Sequence, residues 1–167
     1  ISDSGADQVI LAKAVTDGSN AAPTYQYAVE YDGNSADTLD FYFSDGALRG
    51  PFSVKPAKDV WVHAAFVKNI TTVAAYLNGT KLLNTLNPQN ITARATLLKI
   101  GTDNANSQRL KAGLDELMIF NRSLSPAEIS AIYNNQSYRY ITPATQLFNL
   151  NFTSGDNRVN VTTNATL

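Results

Sequence analysis

The chain lacks cysteine and contains one histidine and one tryptophan in 167 residues. Without cysteine there is no disulfide, thiolate nucleophile or iron–sulfur centre, and one histidine excludes a multi-histidine zinc site within a single chain. Charged residues make up only 16% and the net charge is −1, so no basic patch is available for nucleic acid or an anionic membrane surface. No apolar run approaches the ~18 residues of a membrane-spanning helix. These absences leave a near-neutral globular domain.

Uncharged polar residues replace the missing charge, with 17 Asn, 16 Thr and 12 Ser. Eight asparagines stand in the Asn-X-Ser/Thr pattern of N-glycosylation, more often than chance placement gives, although any single triplet can arise by chance. They are Asn69, Asn78, Asn90, Asn121, Asn135, Asn151, Asn160 and Asn164. The set predicts a glycoprotein of the secretory pathway, located outside the cell or on its surface. The start at Ile1 without a signal peptide fits a mature secreted protein or an excised part of a longer one.

Alternation of apolar and polar residues dominates the chain and predicts β-strands. Strands are predicted at residues 24–31, 38–44, 60–68, 71–77, 96–101 and 110–120. In the first of them, Tyr25, Tyr27, Val29 and Tyr31 are predicted to share one face. Asn78-Gly79 is the strongest hairpin signal, because both residues tolerate a positive φ.

One short helix is predicted near residues 126–134. Ser125 and Glu128 form a capping box around Pro126, and Leu124 and Ile129 stand where a hydrophobic staple needs its two partners. Many short strands and one helix predict an all-β fold, a two-sheet antiparallel β-sandwich.

Two motifs resemble those of a known family. Residues 61–67 (WVHAAFV) and 75–79 (AYLNG) resemble the "WxHVAxV…YxNG" hairpin of laminin-G-like, concanavalin A-type jelly rolls. Residues 100–101 and 113–125 (GLDELMIFNRSLS) resemble that family's "IG…GxIDEVxIYNRALS" ending. The resemblance implies a jelly-roll sandwich over roughly residues 8–135. Members bind glycans, proteins or lipids, or serve as structural modules, so the resemblance predicts architecture better than function.

The two ends depart from the family pattern. Residues 1–7 are too short for the usual opening strands, and residues 136–167 extend beyond the usual last helix. We predict a sandwich at residues 1–141 and a strand-like C-terminal extension at residues 142–167. Alternation in the extension sets five apolar residues apart from Asn151 and Asn160. They are Phe148, Leu150, Phe152, Val159 and Val161.

Three interpretations of the extension stay open: it completes its own sandwich, inserts into a neighbouring subunit, or opens another domain of a longer array. The second gives our leading hypothesis, a structural subunit of an extracellular, N-glycosylated fibre or surface assembly. Copies of the chain would join head-to-tail by insertion of the C-terminal strand. The alternative is a lectin-like carbohydrate-binding module of a larger secreted or cell-surface protein. Its platform would use aromatic side chains that we interpret first as core packing: Tyr25, Tyr27, Tyr31, Tyr42, Trp61 and Tyr76.

No residue is predicted to be catalytic, and no metal or other cofactor is expected besides covalently attached glycans. Only three glutamates occur, without the paired spacing of jelly-roll glycan hydrolases, and Asp115 and Glu116 would point to opposite faces of a strand. His63 is interpreted as a hydrogen-bonded structural residue. Residues 103–106 (DNAN) offer oxygen ligands for calcium, but an ordinary polar turn is favoured there.

Overall fold

The computed structural model describes residues 5–14, 25–93, 95–103, 108–137, 149–152 and 159–162. In the last two ranges it describes the backbone alone. The strands in these ranges are β1 (Gln8–Ala14), β2 (Tyr25–Asp32), β3 (Thr38–Ser44), β4 (Leu48–Val54), β5 (Ala64–Lys68), β6 (Thr72–Leu77), β7 (Thr80–Leu86), β8 (Leu98–Ile100), β9 (Asn149–Phe152) and β10 (Val159–Thr162). The helix is α1 (Pro126–Ser137).

The strands form two antiparallel main sheets of unequal width. The wider sheet has the order β4-β3-β2-β1-β8, and the narrower one has the order β5-β6-β7. Strands β9 and β10 pair with each other and join neither sheet within the described residues. The predicted all-β sandwich with one short helix is thus confirmed. The predicted boundary at residue 141 lies outside the described residues.

The core between the sheets is largely aromatic. Ring centroids of Phe43 and Phe52 lie 5.8 Å apart in a stacked pair on the wide sheet. Phe41 of the wide sheet stacks at 5.6 Å on Phe66 of the narrow sheet and so joins the two layers. Each buried ring of this size contributes ~1.5–3 kcal/mol through the area it removes from water. The remaining buried residues between the sheets are Tyr31, Leu39, Val54, Val73 and Ala75.

The opposite face of the wide sheet carries a second buried cluster. Val9, Ala12, Ala14, Tyr25 and Ala28 pack together there, away from the narrow sheet. The prediction that Tyr25 shares a face with the other aromatic residues of β2 is therefore wrong. The register between β1 and β2 shifts where Ala14 pairs with Tyr25, and such a bulge turns the side chain to the other face.

The β6–β7 hairpin and helix α1 form where the turn and cap residues of the sequence predict them. Asn78 and Gly79 have φ angles of 49° and 74°, as the tight turn between β6 and β7 requires. At the start of α1, the Glu128 amide donates to Ser125 Oγ at 3.2 Å, and the Ser125 amide donates to Glu128 Oε2 at 2.8 Å. Ile129 is 1% exposed and packs on Ala74 and Tyr76 of the narrow sheet. The predicted capping box is confirmed, and the helix extends to residue 137.

Candidate functional site

A large apolar groove opens between the two sheets at the edge formed by β5. Its volume is about 1120 Å³. Its walls come from β1, β2, β3, β5 and α1, from the segment before β5, and from residues 110–124, which we call the covering segment. Because β5 is an edge strand of the narrow sheet, the groove runs beside backbone groups that no described strand pairs on that side.

The groove exposes large apolar side chains. Trp61 is 52% exposed and Ile70 is 77% exposed, although both belong to the residue types that usually fill cores. The covering segment adds further exposed apolar residues, namely Leu114, Leu117, Met118, Ile119 and Phe120. Exposed apolar surface of this extent is the kind of feature that interaction sites of folded proteins present.

The covering segment is not the strand predicted at residues 110–120. None of these residues lies in a strand of the structure, and Glu116 has a φ of 50°, which interrupts an extended backbone. The alternation of apolar residues is genuine, but a strand also needs a neighbour to accept and donate its backbone hydrogen bonds.

Contacts near both ends hold the covering segment against the sandwich. The Leu110 amide donates to the Gly101 carbonyl at 2.9 Å, and the Lys111 amide donates to Gln8 Oε1 at 2.7 Å. Towards the other end, Ser123 Oγ donates to the carbonyl of Lys68 at 3.2 Å. The apolar middle of the segment therefore forms one wall of the groove with both ends anchored.

Two walls of the groove, the segment before β5 and the covering segment, meet where Trp61 lies next to Gly113. A Cβ atom on Gly113 would lie 2.9 Å from the Trp61 ring, closer than real Cβ contacts. The covering segment therefore crosses close over the indole at Gly113, where a side chain would displace the Trp61 ring.

Two predicted acceptor asparagines lie at the two ends of β5. The Asn78 amide donates to the His63 carbonyl at 2.8 Å, and Asn78 Oδ1 accepts from the His63 amide at 3.0 Å. At the other end, Asn69 Oδ1 accepts from the amides of Thr71 and Thr72 at 2.9 and 2.7 Å. In both turns the side-chain amide oxygen of the asparagine accepts hydrogen bonds from backbone amides.

The acceptor asparagines with described side chains are all exposed. These are Asn69, Asn78, Asn90, Asn121 and Asn135. All but Asn135 also line the groove. Asn151 and Asn160 lie in β9 and β10, and Asn164 lies outside the described residues. Exposure is a requirement for glycosylation, which stays a prediction at all eight positions.

The predicted joining strand is described only through its backbone. Leu150 pairs with Val161, and Phe152 pairs with Val159, whereas the acceptor positions Asn151 and Asn160 pair with each other. Because paired residues of antiparallel strands share a face, the apolar positions alternate with the acceptor positions on both strands. Phe148 lies outside the described residues.

His63 lines the groove without the hydrogen bond that was predicted for its ring. Its Nδ1 atom is buried and has no hydrogen-bond partner, and its ring centroid lies 5.8 Å from that of Tyr133. Burial lowers the pKa of His63, so the neutral form is favoured at neutral pH. Its position between the hairpin and α1 fits a packing role.

The six aromatic residues of the lectin hypothesis do not form one platform. Tyr31 and Tyr76 are buried, and Tyr27 lines the groove. Tyr25 and Tyr42 lie outside the groove, beside Glu30. Trp61 is the member that combines wide exposure with a position in the groove. The alternation of aromatic residues therefore serves mainly packing.

The residues considered for metal or acid–base chemistry are separate. Asp103 is fully buried, and its Oδ1 accepts from the Gln108 amide at 3.2 Å. Asp115 Oδ1 accepts from the Glu116 amide at 2.8 Å, as a structural role predicts. In the described part of the chain, no three acidic or histidine side chains are grouped so that they could hold a metal ion. Residues 104–106 lie outside it.

One polar cluster was not predicted. Glu30 and Asp40 pair directly across β2 and β3, on the face of the wide sheet that points away from the groove. Tyr25 donates to the Glu30 carboxylate, yet burial, together with the charges of Asp7, Asp40 and Asp103, raises the pKa of Glu30 to about 7. The sequence places one acidic residue on each of the two strands. The register that brings Glu30 opposite Asp40 could not be read from it.

Comparisons with known proteins address the fold. A family model described as the concanavalin A-like lectin/glucanases superfamily matches residues 1–130. No curated protein matches the chain. A crystal structure of part of an S-layer domain-containing protein from Clostridium thermocellum is 20% identical, with a TM-score of 0.39. That similarity covers 80% of this chain and 65% of the other. In the part of this chain that the structure describes, no helix has the length and apolar character needed to cross a bilayer.

Proposed function

Since the chain belongs to the concanavalin A-like lectin/glucanases superfamily, we propose that it is a non-catalytic structural subunit of an extracellular, N-glycosylated fibre or surface assembly. Copies join head-to-tail when the C-terminal strand of one subunit enters the groove of the next. The observation that carries this proposal is the apolar groove of about 1120 Å³ beside the edge strand β5.

Exposed apolar area supplies the driving force. Covering Trp61, Ile119 and Phe120, which are 44–53% exposed, removes apolar surface from water at roughly 25 cal/mol per Å². The edge of β5 that no described strand pairs can add backbone hydrogen bonds to an incoming strand. An occupant must therefore be both apolar along one face and extended.

The C-terminal strand has both properties. β9 is four residues long and β5 is five, so their lengths are similar. The register of β9 with β10 separates the apolar positions from the acceptor asparagines. Insertion would place Leu150 and Phe152 towards the groove and leave Asn151 towards solvent, where a glycan can be attached.

A strand donated to an identical neighbour makes a heterologous contact. Such contacts repeat into a filament unless rotation closes them into a ring. The exposed acceptor asparagines support a glycan-coated surface. Because four of them line the groove, the occupant must be as narrow as a single strand, which requires little bare area.

Size measurements on paired variants test the proposal. The full chain should form oligomers at micromolar concentration in light scattering and native mass spectrometry. Ile119→Asp in the groove should yield monomers, whereas Leu82→Asp should not, because Leu82 is similarly exposed at 56% but lies on β7 away from the groove. On the donor strand, Leu150→Asp should block assembly and the adjacent Asn149→Asp should not. A stable monomer of the unaltered chain would contradict the proposal, including a monomer that inserts its own tail.

A carbohydrate-binding module is the second candidate, supported by the exposed Trp61 beside polar groove residues such as Asp59 and Asn78. Stacking of a sugar on an exposed indole is a common use of such a side chain. Binding on a glycan array that a folded Trp61→Ala variant loses would favour this function over assembly.

A further inference from the structure

The wide sheet extends beyond the narrow sheet on one side. It has five strands and the narrow sheet has three, so two strands of the wide sheet lack a described counterpart in the other layer. Strands β6 and β7 lie against β4, at one edge of the wide sheet, and Phe66 of β5 stacks on Phe41 of β3. The strands without a counterpart are therefore β1 and β8, at the opposite edge.

Strand β8 presents apolar side chains on the inner face of the wide sheet. Ile100 pairs with Leu11, which lines the groove. Leu98 pairs with Lys13, and Lys13 pairs on its other side with Tyr27 of the groove wall. Because directly paired residues share a face, Leu98 and Ile100 lie on the groove side of the wide sheet. They lie beyond the groove lining and are 39% and 53% exposed, although an inner sheet face normally packs on a second sheet.

Strands β9 and β10 belong to neither sheet within the described residues. Leu150 pairs with Val161, and Phe152 pairs with Val159. The apolar positions of both strands therefore occupy one face of the pair, and the acceptor asparagines of both strands occupy the other. A single strand inserted beside β5 would leave the apolar positions of β10 in water, so β10 requires a docking surface of its own.

Two added strands would make the two layers equal in width. With β9 beside β5 and β10 beside β9, the narrow sheet would have five strands, as many as the wide sheet. Neighbouring strands are ~4.8 Å apart in any sheet, so β9 would lie opposite β1 within the groove and β10 opposite β8 beyond it. The apolar face of β10 would then pack on Leu98 and Ile100 at the ~10 Å spacing of stacked sheets.

We propose that subunits join through the β9–β10 pair of a second copy, and that its strand β10 docks on β8 through Leu98 and Ile100. This inference rests on the proposed head-to-tail assembly and adds to it a second docking surface, outside the groove. Strand β9 remains the occupant of the groove, and β10 covers the inner face of β8. The acceptor asparagines of both strands face solvent, so the same arrangement admits their glycans.

Cross-linking of two single-cysteine proteins tests where β10 docks, because the unaltered chain contains no cysteine. Unglycosylated Ile100→Cys protein is mixed with isotope-labelled Val161→Cys protein and treated with a bismaleimide that spans about 10 Å, the distance between stacked sheets. Mass spectrometry counts the mixed dimers, which should form at least tenfold more often than with Thr162→Cys in place of Val161→Cys. Thr162 pairs with Asn149 on the face of the acceptor asparagines, so a substitution there lies on the solvent side.

Two results of this experiment would overturn the docking of β10 on β8. Equal yields with Val161→Cys and Thr162→Cys would show that β10 does not present its apolar face to β8. A chain that carries both Ile100→Cys and Val161→Cys and cross-links within itself more than with other chains would show that the tail belongs to its own sandwich.

Size measurements on the full chain separate this inference from the proposed function. Ile100→Asp and Val161→Asp should each raise the concentration at half-maximal assembly at least tenfold, whereas Leu82→Asp, at an exposure similar to that of Ile100, should change it less than twofold. If Leu150→Asp abolishes assembly while Ile100→Asp and Val161→Asp assemble like the unaltered chain, the strand junction stands and the docking on β8 is wrong. An unaltered chain that stays monomeric overturns both. Melting curves confirm that each variant is folded, and the cysteine substitutions decide the matter for a variant that is not.

Discussion

At the scale of single residues, Glu30 makes the stability depend on pH. Its pKa is raised to about 7 from an ordinary value of 4.5, so the folded state holds a proton that the unfolded chain has released between these pH values. The stabilisation that this proton gives to the folded state is complete below pH 4.5 and is lost as the pH rises through 7. Glu30→Gln should therefore be more stable than the unaltered protein by about 2–3 kcal/mol at pH 8 and much closer to it at pH 4.5.

Urea unfolding at both pH values measures the difference. His63 acts with the opposite sign, because its lowered pKa costs stability as the pH falls below 6.5. Double variants with His63→Gln separate the two groups. An equal stability gain at pH 4.5 and 8 would show that Glu30 does not titrate as described.

Asn78 stabilises a turn and is also a predicted glycosylation site. Asn78→Ala removes the acceptor for the His63 amide and places alanine at a φ of 49°, which should cost about 2 kcal/mol. Thr80→Ala removes only the glycosylation signal and should cost less than about 0.5 kcal/mol. Unfolding of unglycosylated protein compares the two, and equal losses would rule out the turn role. From a glycosylating host, both variants should lack one glycan by mass.

At the scale of elements, the start of α1 depends on its capping box. Arg122 and Ser125 bind the Glu128 carboxylate and lower its pKa to about 2, so the box is intact at neutral pH. Ser125→Ala should destabilise the domain by about 1 kcal/mol, while Ser125→Asp should retain most of the stability. Thermal unfolding of the three proteins checks this order, and an unchanged midpoint for Ser125→Ala would contradict it.

Local signals predicted the elements that depend on local interactions. The turn at Asn78-Gly79 and the cap at Ser125 need only neighbouring residues, and both formed as expected. The predicted strand at residues 110–120 needs a partner along its length, which a pattern of alternation does not supply. The face of Tyr25 depended on a register shift, and the pairing of Glu30 with Asp40 depended on the register of two strands. Such registers come from packing across the sheet.

At the scale of the whole molecule, the single tryptophan reports on the groove. Trp61 is 52% exposed in the open groove, so an inserted strand would cover it. Its fluorescence emission should move to shorter wavelengths as the protein concentration rises. The Leu150→Asp variant should keep the emission of an exposed indole at every concentration. Growth in light scattering without an emission change would place the subunit contact elsewhere.

The asparagines at the two ends of β5 have a consequence for repeat length. A strand that slides by two residues keeps the same face inward, so hydrophobicity alone does not prevent such a slip. Sugars attached at Asn69 and Asn78 would flank a docking edge only five residues long. They would act as stops at either end, and each junction would add the same axial step to a growing fibre.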